Sequence, residues 1–309
     1  MSNVPAFKKF CKDLGSPKAV CPISVTKTRQ LPMIAMHINQ STIEGNANII
    51  AEINRQQGLG QAGIRNRDPV IDFEGVVSLF HGDLGTLEKL VSLRESRQLE
   101  KNEEAWLQDV VFILGLFHLK MAAADALWRT YTEPCNACGD SQSMYAYVGL
   151  LRPKETGKFG TNPGFRRMHD VIHYITHAAI LDCWWLDFGL DDLLHSLDEC
   201  DQKDINWEMP QTMASRIVHK YVAGPKFGHQ DVLAAQDHDY QFENSQLRNR
   251  DCLYYIELCH AMTWGDVRRV EEMFMPLICL FKATGKHKYA GVMIQFLGNL
   301  KHVYPPRLR

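Results

Sequence analysis

The stretch VVSLFHGDLGTLEKLVSL, residues 76–93, decides the fold class of this chain. Its first apolar residues predict a strand, the Gly-Asp pair ending at Asp83 predicts a turn, and the spaced leucines that follow predict a helix. The stretch VVFILGLFHLKMAAADALW, residues 110–128, repeats the pattern as a second strand that runs into a helix near His118. Because α/β folds collect their chemistry where strands end, Asp83 and His118 are the first candidate functional residues.

Composition and charge limit the class of protein. Of 309 residues, 45% are hydrophobic and 23% are charged, as expected for a globular protein with a sizeable core. The net charge of -2 gives no overall electrostatic signature of nucleic-acid binding. The longest apolar runs are far shorter than the roughly 18 residues that a membrane span needs. We therefore expect an intracellular protein without a membrane partner, in the nucleus or the cytoplasm.

The apolar pattern divides the chain into parts. Residues 1–30, interrupted by three prolines, are predicted to be a flexible lead-in, and residues 31–309 a single domain. From Phe165 onward the apolar spacing is helical. The predicted fold class is therefore α/β but mostly α, with a small sheet in the α/β part over 31–130 and a mainly helical part over 131–309.

Finer predictions accompany this division. LPMIAMHI, residues 31–38, is predicted as a strand, and the next helix is predicted to begin with a capping box formed by Ser41 and Glu44. The tryptophans are predicted as core residues, among them Trp128 and Trp264. The nine scattered cysteines fit reduced thiols, and three of them lie in apolar runs and are predicted to be buried: Cys183, Cys259 and Cys279.

Both candidate residues at the strand ends have a plain structural alternative. Asp is favoured at helix N-caps because its carboxylate accepts hydrogen bonds from free amides, so Asp83 either caps its helix or binds a metal ion. His118 is either a strand-end histidine that bonds to backbone or part of a site. Asp125, seven residues later, either approaches the same site or pairs with Arg129.

Two further patterns have the spacing of metal ligands. Cys135 and Cys138 form a CxxC pair, but a structural zinc site needs four ligands and the sequence contains no second pair, so zinc is not favoured. His169, His173 and His177 are spaced four apart on one helical face. Two of them could chelate a metal, or all three could simply border the buried stripe of their helix.

Basic residues gather beside two Gly-rich turns. The first set is Lys154, Lys158, Arg166 and Arg167, and the second is Lys282, Lys286, His287 and Lys288. Backbone amides in such turns also meet phosphate, so each set is either a nucleic-acid surface or ordinary solvated charge. DNA is the candidate partner, and the predicted contact residues are Lys154, Lys158, Arg166, Arg167, Lys286 and Lys288.

Three motifs carry a resemblance to a known family. They are GDLGTLEKL; LGLFHLKMAAADALWR with LLRPKETGKFGTNPGFRRMH after it; and GDVRRVEEMFMPLICLFKATGKHKYA. In order and spacing they resemble the fungal members of the DUF6589 family, over about Leu31 to Arg309. The family has no established activity, so the resemblance implies a fold relationship rather than a reaction.

More distantly, the chain resembles DDE-type transposases with a ribonuclease-H-like core, in which an Asp follows one strand and the next strand ends near a His. This resemblance implies a sheet of ribonuclease-H-like type and an acidic site that holds Mg²⁺ or Mn²⁺ for phosphodiester cleavage or strand transfer. On this chain it implies Asp83 as metal ligand. The other candidate catalytic acids are Asp125, Asp266 and Glu271.

The chain departs from the transposase pattern in two places. The first core strand should carry an Asp, but residues 31–38 and the next two offer only His37 and Asn39, and Val292 stands where some relatives carry an acid. We therefore expect a fragment or a degenerate copy: a transposase-derived domain from a mobile element that contacts nucleic acid. Two alternatives stay open, a non-catalytic helical protein-interaction module and an active metal-dependent enzyme that cleaves or transfers phosphodiester bonds.

Overall fold

Both predicted strand–helix units are present. β1 (Ser78–Gly82) and β2 (Val110–Leu114) pair in parallel as a two-stranded sheet, residue opposite residue along their whole length. Just beyond the sheet, the Gly115 amide donates to the Gly82 carbonyl at 2.9 Å. Parallel strands need a crossover connection, and here a helix lies within it, as the leucines after Asp83 predicted.

The structure is a computed structural model that describes residue 15 and residues 17–59, 77–97, 107, 109–132, 143–188, 206–224 and 239–308. The helices and strands of this part are, in order, α1 (Ile43–Gln57), β1, α2 (Leu84–Ser96), β2, α3 (Leu116–Tyr131), α4 (Met144–Leu151), a 3₁₀ helix (Pro153–Lys158), α5 (Phe165–Phe188), α6 (Glu208–Tyr221), α7 (Tyr240–Trp264), α8 (Val267–Glu272), α9 (Phe274–Ala283), α10 (His287–Gly298) and a π-helical turn (Asn299–Val303). The α/β but mostly α prediction is confirmed. Within the described residues, no helix is both long enough and apolar enough to cross a membrane.

Two units make up the chain. The sheet unit comprises Ser24–Leu119 with Lys286–Arg309, and the helical unit comprises Met1–Ile23 with Lys120–Gly285. In the sheet unit, α1 and α2 pack together and α2 contacts β2. The core of this unit is formed by Ala47, Ile50, Leu90, Leu93, Leu107 and Val110, with Phe80 and Phe112 packed against it.

The predicted strand over residues 31–38 is wrong. Its backbone pairs with a side chain instead of a strand: the Ile34 amide donates to Gln56 Oε1 at 2.7 Å, and Gln56 Nε2 donates to the Ile34 carbonyl at 3.2 Å. Gln56 lies in the last turn of α1. The Gln56 side chain therefore satisfies the Ile34 backbone groups that would otherwise bond to a neighbouring strand.

The predicted capping box of α1 is wrong by one residue. Thr42, rather than Ser41, is the N-cap, and its Oγ1 accepts from the Gly45 amide at 2.9 Å. Glu44 lies in the first turn, where its charge suits the helix dipole without closing a box. Position 45 requires glycine because a Cβ there would overlap the Asn39 carbonyl oxygen.

In the helical unit, the 24-residue helix α5 packs against α6 and α7. The largest fully buried side chains of this unit include Trp128, Phe159, Ile172, Tyr255 and Phe281. Trp264 is 60% exposed at the end of α7, so its prediction as core is wrong. Of the cysteines predicted to be buried, Cys183 and Cys259 are buried, but Cys279 lies on the exposed side of α9.

A short segment inside the predicted lead-in pairs with the turn between α7 and α8. The Ile23 amide donates to the Gly265 carbonyl at 2.8 Å, and the Val267 amide donates to the Cys21 carbonyl at 3.1 Å. Asp266, only 1% exposed, accepts from the Val20 and Cys21 amides at 2.8 and 3.0 Å. This buried carboxylate thus holds residues 20–23 to the helical unit.

Candidate functional site

Asp83 stands where the sequence placed it, at the end of β1, and it caps α2. Its Oδ1 accepts from the Thr86 amide at 2.8 Å, so the capping alternative is confirmed. The pKa of Asp83 is lowered, first by this backbone hydrogen bond, then by the Thr86 hydroxyl, and to a smaller extent by the charges of His118 and Lys89. Asp83 and His118 thus follow the ends of the two paired strands within the sheet unit, and the metal-binding role of Asp83 stays a prediction.

The other three candidate acids lie in the helical unit, and each has a partner there. Asp125 accepts from Arg129 Nε at 2.8 Å, which is the pairing that the sequence offered as an alternative. Glu271 accepts from Arg268 Nη1 at 2.9 Å. Asp266 caps α8 besides binding the Val20–Cys21 backbone. In the described residues these carboxylates serve helix ends and ion pairs.

The first basic set lies on either side of the loop that joins the 3₁₀ helix to α5. Lys154 and Lys158 lie on the 3₁₀ helix, Arg166 and Arg167 lie in the first turn of α5, and all four are exposed. Arg167 Nη1 donates to the Pro163 carbonyl at 3.1 Å. Within the described ranges, Lys154, Lys158 and Arg166 have no acidic partner. We call these four cations and their loop the basic segment.

The basic segment is fixed to the core of the helical unit. Phe159 and Trp128 are each 1% exposed, and their ring centroids lie 5.7 Å apart. Trp128 Nε1 donates to the Gly160 carbonyl at 3.2 Å. The two nearest acids in sequence, Glu155 and Asp170, both lie within 3.5 Å of Arg152. Arg152 therefore pairs with both neighbouring carboxylates, and among the described residues neither of them forms an ion pair with the four cations.

The second basic set is divided between the two units. Lys282 lies in the last turn of α9 in the helical unit, whereas Lys286, His287 and Lys288 belong to the sheet unit. Lys288 Nζ lies 2.8 Å from Glu88 Oε1, with both side chains largely exposed. Such surface pairs contribute little stability, but they reduce the positive charge offered to a ligand. The second set is thus the weaker candidate for phosphate contact.

The structure adds Cys259 to the histidines that the sequence suggested as metal ligands. Among the described residues, His169, His173 and Cys259 form the single group of three His, Cys, Asp or Glu side chains whose ligating atoms all lie within 4.8 Å of one another. None of the four candidate catalytic acids belongs to it. His177 is not a member of the group: it is exposed on α5, where its Nδ1 donates to the His173 carbonyl at 2.7 Å. We call the three residues the His–His–Cys group.

Burial keeps this group uncharged. It lowers the pKa of His173 to about 4, helped by the neighbouring His169 and His177 rings. It also lowers the pKa of His169, with Lys120 as the next cause, and raises the pKa of the Cys259 thiol. At neutral pH both imidazoles are therefore neutral, which is the form that binds metal ions.

Sequence reasoning missed Cys259 as a candidate ligand. It lies on α7, far along the chain from the histidines of α5, and only the packing of the two helices brings it to them. The residue Tyr255, one turn earlier on α7, was missed for the same reason; its hydroxyl lies 2.8 Å from His169 Nδ1. The CxxC pair, Cys135 and Cys138, lies outside the described residues.

These features define a mostly helical protein with a small parallel sheet, an exposed basic segment and a partly buried His–His–Cys group. The chain belongs to the DUF6589 family: the model described as "Family of unknown function (DUF6589)" matches residues 2–309. The family resemblance carried by the three sequence motifs is thus confirmed. No curated protein and no solved structure gives a significant match.

Proposed function

We propose that this chain is a nucleic-acid-contacting domain, derived from a transposase of ribonuclease-H-like type, that lacks a complete catalytic metal site within its described residues. The observation that carries the proposal is the basic segment. Lys154, Lys158, Arg166 and Arg167 are exposed, close in sequence on either side of one loop, and belong to one unit. Phosphate backbones are bound mainly by such clustered Lys and Arg side chains.

Anchoring of the basic segment strengthens the proposal. A ligand that binds mobile side chains must order them first, and this ordering lowers affinity. Here the loop between the cations is held by the buried Phe159 ring and by the Trp128 hydrogen bond to Gly160. The backbone beneath the four cations is therefore already in place before a nucleic acid arrives.

The hydrogen-bond and ion-pair partners of the four candidate acids favour a catalytically degenerate domain over an active enzyme. Two-metal phosphodiester chemistry needs several carboxylates around ions roughly 3.5–4 Å apart. Asp83 caps a helix, Asp125 and Glu271 pair with arginines, and Asp266 binds three backbone amides. In an active enzyme these carboxylates would have to bind metal ions in addition to the partners that they already have.

Fluorescence anisotropy with labelled duplex DNA, single-stranded DNA and RNA tests the proposal. We expect the full chain to bind at low salt, and the double variant Arg166→Glu/Arg167→Glu to bind more weakly. Loss of two phosphate contacts should reduce the slope of log K against log salt by about 1.8 for a duplex and about 1.4 for a single strand. The preferred nucleic acid is the one that the full chain binds most tightly at the same salt concentration.

A matched control makes the result specific. Arg94→Glu/Lys301→Glu changes the total charge equally, and both positions are exposed in the sheet unit. This control should keep the affinity and salt slope of the parent chain. Failure of the parent chain to bind any of the three nucleic acids, or equal losses in the two double variants, would remove the proposal.

A helical protein-interaction module is the second candidate function, and exposed apolar residues on α5 favour it. Tyr174, Leu181 and Leu186 are each more than half exposed on this helix. Tyr174 and Leu181 lie two turns apart on one face of α5, and apolar residues exposed together on one face are typical of protein contacts. If the module is the true function, sedimentation should show association of the chain that Leu181→Lys/Leu186→Lys abolishes, with nucleic-acid binding absent.

A further inference from the structure

We infer that the His–His–Cys group is a binding site for a single zinc ion, held by His169, His173 and Cys259. Two imidazole nitrogens and one thiolate form a donor set that suits zinc, which takes His and Cys ligands in tetrahedral sites. The two histidines are one turn apart on α5, and Cys259 faces them from α7. The inference goes beyond nucleic-acid contact, and either can fail without the other.

An unpaired buried nitrogen is the observation that favours a ligand at this place. His173 Nε2 is buried and has no hydrogen-bond partner among the described residues. Leaving such a group without a partner destabilises the folded protein. A metal ion bound at His173 Nε2 would provide the missing interaction. The ligating atoms of His169, His173 and Cys259 all lie within 4.8 Å of one another, so the same ion is within reach of all three.

Tyr255 on α7 orients the His169 ring of the group through a hydrogen bond. Its side chain is fully buried on α7, its hydroxyl lies 2.8 Å from His169 Nδ1, and it also bonds with the Cys259 thiol. Histidine ligands generally bond through their second ring nitrogen to an oxygen that fixes the ring and its tautomer. When zinc binds Nε2 of His169, the ring proton is on Nδ1 and the Tyr255 oxygen accepts it.

The surrounding charges are compatible with one divalent ion. Cys259 loses its proton to solvent when zinc binds, so the ion and the thiolate together carry one positive charge. Lys120 on α3 faces the group and opposes that charge, whereas Asp170 on α5 favours it; both act on the His169 and His173 rings. With three protein ligands, the fourth tetrahedral position is left to water or substrate, as in catalytic zinc sites.

The first test is a Co²⁺ titration of the full chain carrying Cys135→Ser and Cys138→Ser, which removes the CxxC pair as a competing site. A cobalt thiolate gives charge-transfer absorbance that histidine and carboxylate ligands do not give. We expect this absorbance to saturate at one ion per chain and to disappear when Zn²⁺ displaces Co²⁺. Absence of a thiolate band in this parent chain would overturn the inference.

Three variants and a control assign the ligands. Cys259→Ser should remove the thiolate band, and His173→Gln should weaken Zn²⁺ binding by more than the roughly 10–100-fold expected for Tyr255→Phe, which only removes the orienting hydroxyl. The control His177→Gln, one turn further along α5, should bind like the parent. An unchanged band in Cys259→Ser, or equal losses in His177→Gln and His173→Gln, would refute the assignment.

A measurement on the parent chain covers the case in which a variant does not fold. Zinc that binds only the folded chain must raise its melting temperature, and the rise must grow with the logarithm of the Zn²⁺ concentration. Excess EDTA should reverse the rise. A melting temperature that does not respond to Zn²⁺ would count against the site, whatever the variants do.

Discussion

Replacement of Asp83 separates a helix cap from a metal ligand, because an Asn side chain serves the first role and fails in the second. The amide introduced by Asp83→Asn keeps an oxygen for the Thr86 backbone N–H, the hydrogen bond that begins α2 at 2.8 Å. It loses the negative charge that a divalent metal ion requires. Asp83→Ala removes both the acceptor and the charge.

The expected magnitudes follow from this geometry. Asn and Asp are about equally good N-caps, whereas Ala in place of Asp costs about 1 kcal/mol of folding free energy. The charge itself favours the helix N-terminus by about 0.3–1 kcal/mol, less at an exposed position in salt. Because Asp83 is exposed, we expect Asp83→Asn to lose at most a few tenths of a kcal/mol, and Asp83→Ala to lose about 1 kcal/mol.

Urea unfolding measures the two stabilities, and Mn²⁺ titration followed by electron paramagnetic resonance measures metal binding. Glu95→Gln, which replaces an exposed carboxylate on the same helix, controls for nonspecific binding to surface acids. If Asp83 only caps α2, the parent chain and the three variants should bind Mn²⁺ alike. Loss of Mn²⁺ binding in Asp83→Asn with stability intact would refute this reasoning and support the active-enzyme alternative. Equal instability of Asp83→Asn and Asp83→Ala would refute the capping geometry.

Two further predictions concern contacts of the helical unit. Tyr131 donates to Asp251 at 2.6 Å, and Arg250 holds the same carboxylate, so Tyr131→Phe should cost about 1.5–3 kcal/mol in urea unfolding. The pKa of Asp266 is lowered because hydrogen bonds from backbone amides outweigh burial, so its stabilisation is present above its ordinary value of 3.8 and is lost as pH falls through the folded value. Asp266→Asn should therefore flatten the acid-side loss of melting temperature, and an unchanged pH profile would show that Asp266 is not a source of it.

The parts of the fold that the sequence predicted are those set by neighbouring residues. The apolar run before Asp83, the turn and the leucines after it are enough to predict β1 and α2, and the same holds for β2 and α3. The prediction of a strand over 31–38 is wrong because the Ile34 backbone bonds to the side chain of Gln56, which lies outside the local sequence pattern. Apolar alternation alone does not reveal that a side chain will occupy the positions of a neighbouring strand.

The parts that the sequence missed depend on residues far apart in the chain. Asp266 and the Val20 amide that it binds are 246 residues apart, so the pattern near either residue gives no sign of the contact. Cys259 was assigned as a buried thiol from its apolar surroundings, which is correct, yet its two histidine neighbours lie on another helix. The spacing of the histidines predicted a possible site, but only helix packing supplies the third donor and excludes His177.

Helix α5 carries residues of both proposals, and the two sites use different side chains of it. Arg166 and Arg167 project from its first turn into solvent, whereas His169 and His173 turn toward α7 beside the fully buried Ile172. Neither arginine belongs to the His–His–Cys group, and Cys259 lies on α7, outside the basic segment that Phe159 anchors. Charge reversal at the arginines thus keeps all three zinc ligands, and loss of the Cys259 thiol keeps all four cations. Each site can therefore be removed while the other is measured in the same folded chain.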